Sequence, residues 1–255
     1  MTSVEGLLQA VAGFVVADVD LAAEPAAAAA ARQSLDDSGL LLVGEMHGAR
    51  ENPLLARALM RAFGITRLAL EWDEDLAPVF GAFLATGTLA DHWLWSGDGR
   101  ITAGHLAVLA ERATAGPLEV ILFDGAIGPE WDWSDCDKAM ARRLLAAAPA
   151  GTRTLAVAGN AHTPTSPIEL GIPMGAWLRR QRPGVREIRI NYGSGWYYNT
   201  QPCRFTPDGA PPRQIRLHQD HGLLVLDLPT AEEAIVPHRS ERWPPTKPAN
   251  PPGAV

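Results

Sequence analysis

Short apolar runs alternate along this chain with stretches whose apolar residues recur at helical spacing. Gly39 to Val43 (GLLLV), Arg67 to Leu70, Leu118 to Phe123 (LEVILF), Thr154 to Ala158 (TLAVA), Arg186 to Ile190 and Leu223 to Leu228 (LLVLDL) are bounded by polar or glycine residues. Strands buried on both faces of a sheet read this way. Between them, helices are expected in the alanine-rich Leu21 to Leu35 after Pro25, and from Pro53 to Phe63 with Asn52 as N-cap and Gly64 as stop. Further helices are expected from Ala103 to Ala115, from about Asp135 to Ala148 capped by Ser134 or Asp135, and around Met174 to Gln181. The alternation predicts an α/β fold with a mainly parallel β-sheet flanked by helices. Residues 1–236 read as one α/β domain, and 237–255, with six prolines in nineteen residues, as a disordered tail.

One strand after another runs into a polar residue with useful chemistry. The first leads to Glu45 and His47, the second to Glu71 and Asp73, the third to Asp124, the fourth to Asn160 and His162, and the fifth to Asn191. In a parallel sheet the carboxyl ends share one edge, so these scattered residues are expected to converge in one crevice. Taken singly, each is better explained as a loop starter or helix cap. In Gly44-Glu45-Met46-His47-Gly48 the Glu-x-His spacing places a carboxylate and an imidazole on the same side of an extended segment. Such a pair can serve as a general base with its orienting partner, or supply two metal ligands. Ala158-Gly159-Asn160-Ala161-His162 is a second strand end with glycine and histidine. His105, near the start of a predicted helix, reads as a buried structural histidine. The W-x-W pairs Trp93 and Trp95, and Trp131 and Trp133, are expected to wall a pocket at the same edge and, with Asp73, Asp124 and Asn160, to contact a substrate. No nucleophile elbow, phosphate-cradling loop, dinucleotide fingerprint or H-E-x-x-H motif occurs.

Composition narrows the classes. The 255 residues, 47% hydrophobic, suffice to bury roughly 70–75% of the unfolded surface without staples. Two cysteines, Cys136 and Cys203, make neither a disulfide framework nor a cysteine zinc site. A net charge of −7, with no basic run beyond Arg142-Arg143 and Arg179-Arg180, argues against nucleic acid. The N-terminal stretch carries acidic residues where a signal peptide is basic, and no apolar run of about 18 residues occurs, so neither leader nor membrane span is expected. A cytoplasmic location follows as the expectation. Crowding of Glu45, Glu71, Asp73 and Asp124 at one edge predicts raised carboxyl pKa values and a preference for cationic or metal-bearing ligands.

The runs GEMHGARENPLLARALMRAFGITRLALEWD, CDKAMARRLLAAAPAGTRTLAVAGNAHT, GIPMGAWLRR and NYGSG, spread in order over residues 39–195, resemble the superfamily joining erythromycin esterases, ChaN-like haem-binding uptake proteins and more distant Tiki/TraB-type proteins. The one-residue Glu-x-His spacing is similar to the ChaN-like branch. Cys136 and Gly159 stand where the esterase branch carries arginine and histidine. The resemblance implies an α/β fold with a site built from Glu45, His47, Glu71 and His162, the four residues the strand ends also single out. The expectation is a hydrolase of an ester or amide of a small, partly apolar molecule, with His47 as base, Glu45 or Glu71 orienting it, and His162 as acid or oxyanion binder. No cofactor is expected. The alternatives are the same residues holding a divalent metal, a non-catalytic binder of haem or another flat hydrophobic ligand with His47 or His162 axial, and a lyase or cyclase using the same acid–base pair.

Overall fold

The computed structural model describes residues 3–90, 92, 98–125, 132–206 and 211–237. In chain order the elements are α1 (Val4–Gly13), β1 (Ala22–Ala23), α2 (Pro25–Ser38), β2 (Leu40–Glu45), α3 (Asn52–Phe63), β3 (Arg67–Asp73), α4 (Ala77–Thr86), α5 (Ala103–Ala115) and β4 (Glu119–Asp124). Then follow α6 (Trp133–Ala147), β5 (Thr154–Gly159), α7 (Met174–Gln181), β6 (Arg186–Asn199), β7 (Gln201–Arg204), β8 (Arg216–Asp220) and β9 (Leu223–Ala231). The strands form one sheet in the order β1-β8-β9-β6-β2-β5-β3-β4, with β7 paired to β6. From β4 across to β9 every neighbour is parallel, and β8 on β9 and β7 on β6 are antiparallel.

Alternation along the central strands sorts side chains into two cores. Leu41 and Val43, Leu68 and Leu70, and Leu155 and Val157 face the core shared with α2, α3 and α5. Leu40 and Leu42, Ala69, and Ala156 and Ala158 face Met140, Ala141, Leu144, Met174 and Leu178 of α6 and α7. Burial on both faces explains why the strands are apolar runs rather than alternating ones. Among the described residues, no helix is long and apolar enough to cross a membrane.

The expected elements are present, with differences that matter for the site. β3 runs on to Asp73 instead of ending before Glu71, and its pairing with β4 is broken between Leu70 and Asp73 by an irregularity that holds Glu71 and Trp72. Bulges of this kind re-aim a side chain. β6 continues to Asn199, so Asn191 lies within a strand and donates to Asp227 Oδ1 at 2.9 Å; it is not part of the strand-end cluster. Asn52 does not cap α3: its amide donates to the Met46 carbonyl at 2.8 Å. The cap of α6 is Asp132, which accepts from the Asp135 N–H, while Ser134 Oγ accepts from Ile172 N–H. Helix α1 was not expected, and strands β1, β7 and β8 are too short or too polar to stand out by period. Past residue 237 the proline-rich tail lies outside the described residues.

The turn after β2 depends on Gly48, at φ +78°, whose N–H donates to the Gly99 carbonyl at 2.9 Å. A Cβ there would fall into the Tyr198 carbonyl of β6. Gly64, closing α3 at φ +64°, has open space around it. Gly64→Ala should therefore cost about 1–2 kcal/mol from the left-handed backbone alone. Gly48→Ala should cost about 3 kcal/mol or more, because a strand must also move. Urea denaturation of the two variants measures the difference, and equal costs would show that the turn does not pack as described.

Candidate active site

Four adjacent strands deliver the site: in sheet order, β2 brings Glu45 and then His47, β5 brings Gly159 and then His162, β3 brings Glu71, and β4 brings Asp124. Glu71 is at the centre. Its side chain is 4% exposed, its Oε2 accepts from the Gly159 N–H at 2.7 Å, and its Oε1 lies 3.3 Å from Arg100 Nη1. His47 Nε2 sits 3.7 Å from Oε2 and His162 Nε2 3.7 Å from Oε1. Both distances exceed a hydrogen bond, so the imidazoles face the carboxylate as charges rather than as bonded partners.

The other nitrogen of each ring is held. His47 Nδ1 lies 3.0 Å from Glu45 Oε1, and His162 Nδ1 lies 3.0 Å from both oxygens of Asp137. Because a carboxylate only accepts, each Nδ1 carries the proton and each Nε2 is left to face Glu71. Trp133 stacks on the His162 ring at 5.3 Å and 15°, fixing its plane. A Cβ at Gly159 would fall 3.0 Å from His47 Nε2 and 3.5 Å from both Glu71 Oε2 and His162 Cδ2, so glycine lets the three groups approach. The histidine side chains are 18% and 20% exposed, which leaves them reachable from solvent.

Titration follows from these contacts. Burial by itself lowers the His47 pKa, but the hydrogen bond to Glu45 and the charges of Glu71 and Glu45 outweigh it and raise the value above 6.5. His162 is raised in the same way, burial being overcome by Asp137 and Glu71. Burial pushes Glu71 up, yet Arg100, the two histidines and the Gly159 N–H bring it below 4.5. The expectation that crowding raises the carboxyls holds for Asp124, raised chiefly by burial. It fails for Glu71, because a cation stands among the acids.

That cation was not anticipated. Arg100 Nη1 contacts Asp124 Oδ2 at 2.7 Å, and its Nε contacts Asp98 at 2.8 Å. Nothing in the sequence around Arg100 marks it by period. Asp137 was also missed, although a signal existed. It shares the buried stripe Asp137, Met140, Ala141, Leu144 of α6, and an acid on an apolar helical face needs a buried partner. Besides His162, it accepts from the Met174 N–H at 2.6 Å, joining α6 to α7.

Of the other expected contact residues, Asp73 caps a short turn by accepting from the Asp75 N–H, as a loop starter would. Asn160 is exposed, and its N–H donates to the Glu45 carbonyl at 2.8 Å. Trp93, Trp95 and Trp131 lie outside the described residues. His105 is buried, with Nδ1 2.9 Å from Thr102 Oγ1, and burial lowers its pKa. Among the described residues, no group of three or more His, Cys, Asp and Glu side chains is disposed to hold a metal ion. The Glu71 oxygens already face Arg100 and the Gly159 N–H.

No family model and no curated protein matches the chain. Among solved structures, the fold is similar to that of a succinoglycan biosynthesis protein, with TM-score 0.59 and 10% identity over 91% of this chain and 98% of that one. It is also similar to that of a Bacillus cereus protein, with TM-score 0.57 and 10% identity over 81% and 91%. A chain described as bacterial protein toxins matches with TM-score 0.42 and 20% identity over 69% of this chain, which spans 38% of that chain's length. At 10% identity the likeness to the first two is one of fold.

Arg100→Met removes the largest effect opposing the burial of Glu71 and should cost about 3 kcal/mol near pH 7. The sign with pH is defined. A carboxyl lowered in the folded state contributes stability above 4.5 and loses it as pH falls through the lowered value; without Arg100 the Glu71 value rises and that contribution goes. The wild-type advantage, measured by urea denaturation, should shrink between about pH 7 and about pH 4. A constant gap would mean that Arg100 does not act through a titrating carboxyl.

Proposed function

We propose that this chain is a hydrolase acting on an ester or amide of a small, partly apolar molecule. One observation carries the reading. His47 is oriented through Nδ1 by Glu45, and its Nε2 faces the same carboxylate as the Nε2 of a second imidazole, itself oriented by Asp137. This is the arrangement a general base and a general acid need around one reacting carbonyl. In the proposed reaction neutral His47 takes a proton from water at Nε2 while the water oxygen bonds to the carbonyl carbon. Glu45 stabilises the imidazolium that forms. His162, protonated, gives its Nε2 proton to the departing oxygen or nitrogen as the carbon–heteroatom bond breaks. Glu71 stabilises each imidazole when both of its nitrogens are protonated, and Trp133 supplies an apolar wall beside His162. The sequence resemblance to the erythromycin esterase and ChaN-like superfamily supports the same four residues, and the scheme runs without a cofactor.

The pH dependence follows from His47. The base must be neutral and its pKa is raised, so the rising limb of kcat/KM should lie above pH 6.5, and the rate should fall again as His162, the acid, loses its proton. Glu45→Gln removes the Glu45 hydrogen bond and charge and leaves only Glu71 to oppose burial, so its residual activity should climb at lower pH. On a panel of p-nitrophenyl esters, His47→Ala and Glu45→Gln should each lower turnover by at least about a hundredfold while circular dichroism stays unchanged. Wild-type turnover in both variants would sink this reading. Dialysis against a chelator should leave turnover intact, and loss restored by a divalent metal would replace the metal-free scheme with the metal-held one.

A further inference from the structure

Met46 stands between the two members of the Glu45–His47 pair, and its main chain is gripped on both sides by side chains. Its N–H donates to the Tyr192 hydroxyl at 3.0 Å, that hydroxyl donates to Asn52 Oδ1 at 2.8 Å, and Asn52 Nδ2 donates to the Met46 carbonyl at 2.8 Å. Three hydrogen bonds thus close a ring around one residue. Tyr192 comes from β6, 146 positions away, with its ring stacked on Phe205 at 4.4 Å and 5°. Asn52, from the first turn of α3, is 2% exposed. The Glu45–Met46 peptide is held on its other side by main chain, its Glu45 carbonyl accepting from the Asn160 N–H, and beyond His47 the Gly48 N–H donates to Gly99 and the Gly48 carbonyl accepts from Tyr198 and Ala234. Those bonds ask little of the partner's identity, whereas the ring around Met46 needs these two side chains.

We infer that Tyr192 and Asn52 are positioning residues for the Glu45–His47 pair, acting through the Met46 peptide groups to set the line on which His47 Nε2 approaches Glu71. The inference rests on the reading of His47 as the base. Glu45 and His47 leave the chain two residues apart, so the two peptide planes that meet at Met46 are the links between them. Rotating either plane swings the imidazole relative to its carboxylate. Only a group that donates and accepts at once can stand between the Met46 N–H and Asn52 Oδ1, which a tyrosine hydroxyl does and a phenylalanine cannot. Asn52 likewise must present an acceptor to Tyr192 and a donor to Met46, which aspartate does not. Burial and the Glu45 charge raise the Tyr192 pKa well above 10, so the hydroxyl keeps the proton the ring requires. A reacting group displaced by about 1 Å can lose on the order of a hundredfold in rate, so a small turn of the Met46 planes is enough to matter.

The test is Tyr192→Phe, which keeps the stacked ring and removes the hydroxyl. The comparison variant is Tyr198→Phe, on the same strand, whose hydroxyl donates to the Thr200 carbonyl at 2.9 Å and does not touch Met46. Two readouts are taken. The first is proton NMR of the two imidazole Nδ1–H resonances, assigned by their loss in His47→Ala and His162→Ala. Tyr192→Phe should shift or broaden the His47 resonance and leave that of His162, held by Asp137, in place; Tyr198→Phe should move neither. The second is ester turnover, where kcat should fall about tenfold to a hundredfold with KM within about twofold. An unchanged His47 resonance overturns the inference, as does loss of both resonances together with thermal stability, which would make Tyr192 a general packing residue. If no ester is turned over, the hydrolase reading fails, and the His47 resonance alone still decides whether Tyr192 positions the pair.

Discussion

A carboxylate at Glu71, 4% exposed and fed by a broken strand pairing, is the constraint around which the sheet edge is arranged. A buried charge is tolerated only where other charges and donors replace its water. Here the Gly159 N–H, the Arg100 guanidinium and two imidazoles do so together. Each of these then needs its own partner. Arg100 takes Asp98 and Asp124, His47 takes Glu45, and His162 takes Asp137. One buried acid therefore commits the ends of four strands, the first turns of α6 and the turn before α5.

The fold supplies what this network costs elsewhere. Strands β2, β5 and β3 lie side by side with apolar faces covered on both sides, so their ends cannot drift apart without opening two cores. Glycine at position 159 allows the imidazoles to come close, and Gly48 allows the strand end to turn beneath β6. Asp137 ties α6 and α7 to His162, which couples the smaller core to the proposed acid.

For the proposed hydrolysis, the paired arrangement matters more than any one residue. Two imidazoles with raised pKa values share one carboxylate, so the proton that leaves water at His47 and the one given up by His162 are exchanged around the same charge. Neither ring has to reorient between the steps, because each is fixed through Nδ1 and one is also stacked on Trp133.

The parallel α/β fold, the helix spans and the convergence of Glu45, His47, Glu71, Asp124 and His162 were all legible in the chain. Strand burial and helical period are local signals, and the edge rule for parallel sheets converts them into proximity. Asp73 was legible only as an acid after a strand, and the structure gives it to a cap, because the same residue type serves both purposes. Arg100 could not be found, since a guanidinium in an irregular turn carries no periodicity and its partners lie on β3 and β4. Asp137 was marked by its place on an apolar stripe, but not its partner. Sequence by itself determined which elements form and which edge gathers the chemistry, because both follow from the order of apolar and polar residues. Only the tertiary structure decided the sign of the charge balance at Glu71 and the side chains that hold Met46, because those depend on distances between residues far apart in the chain.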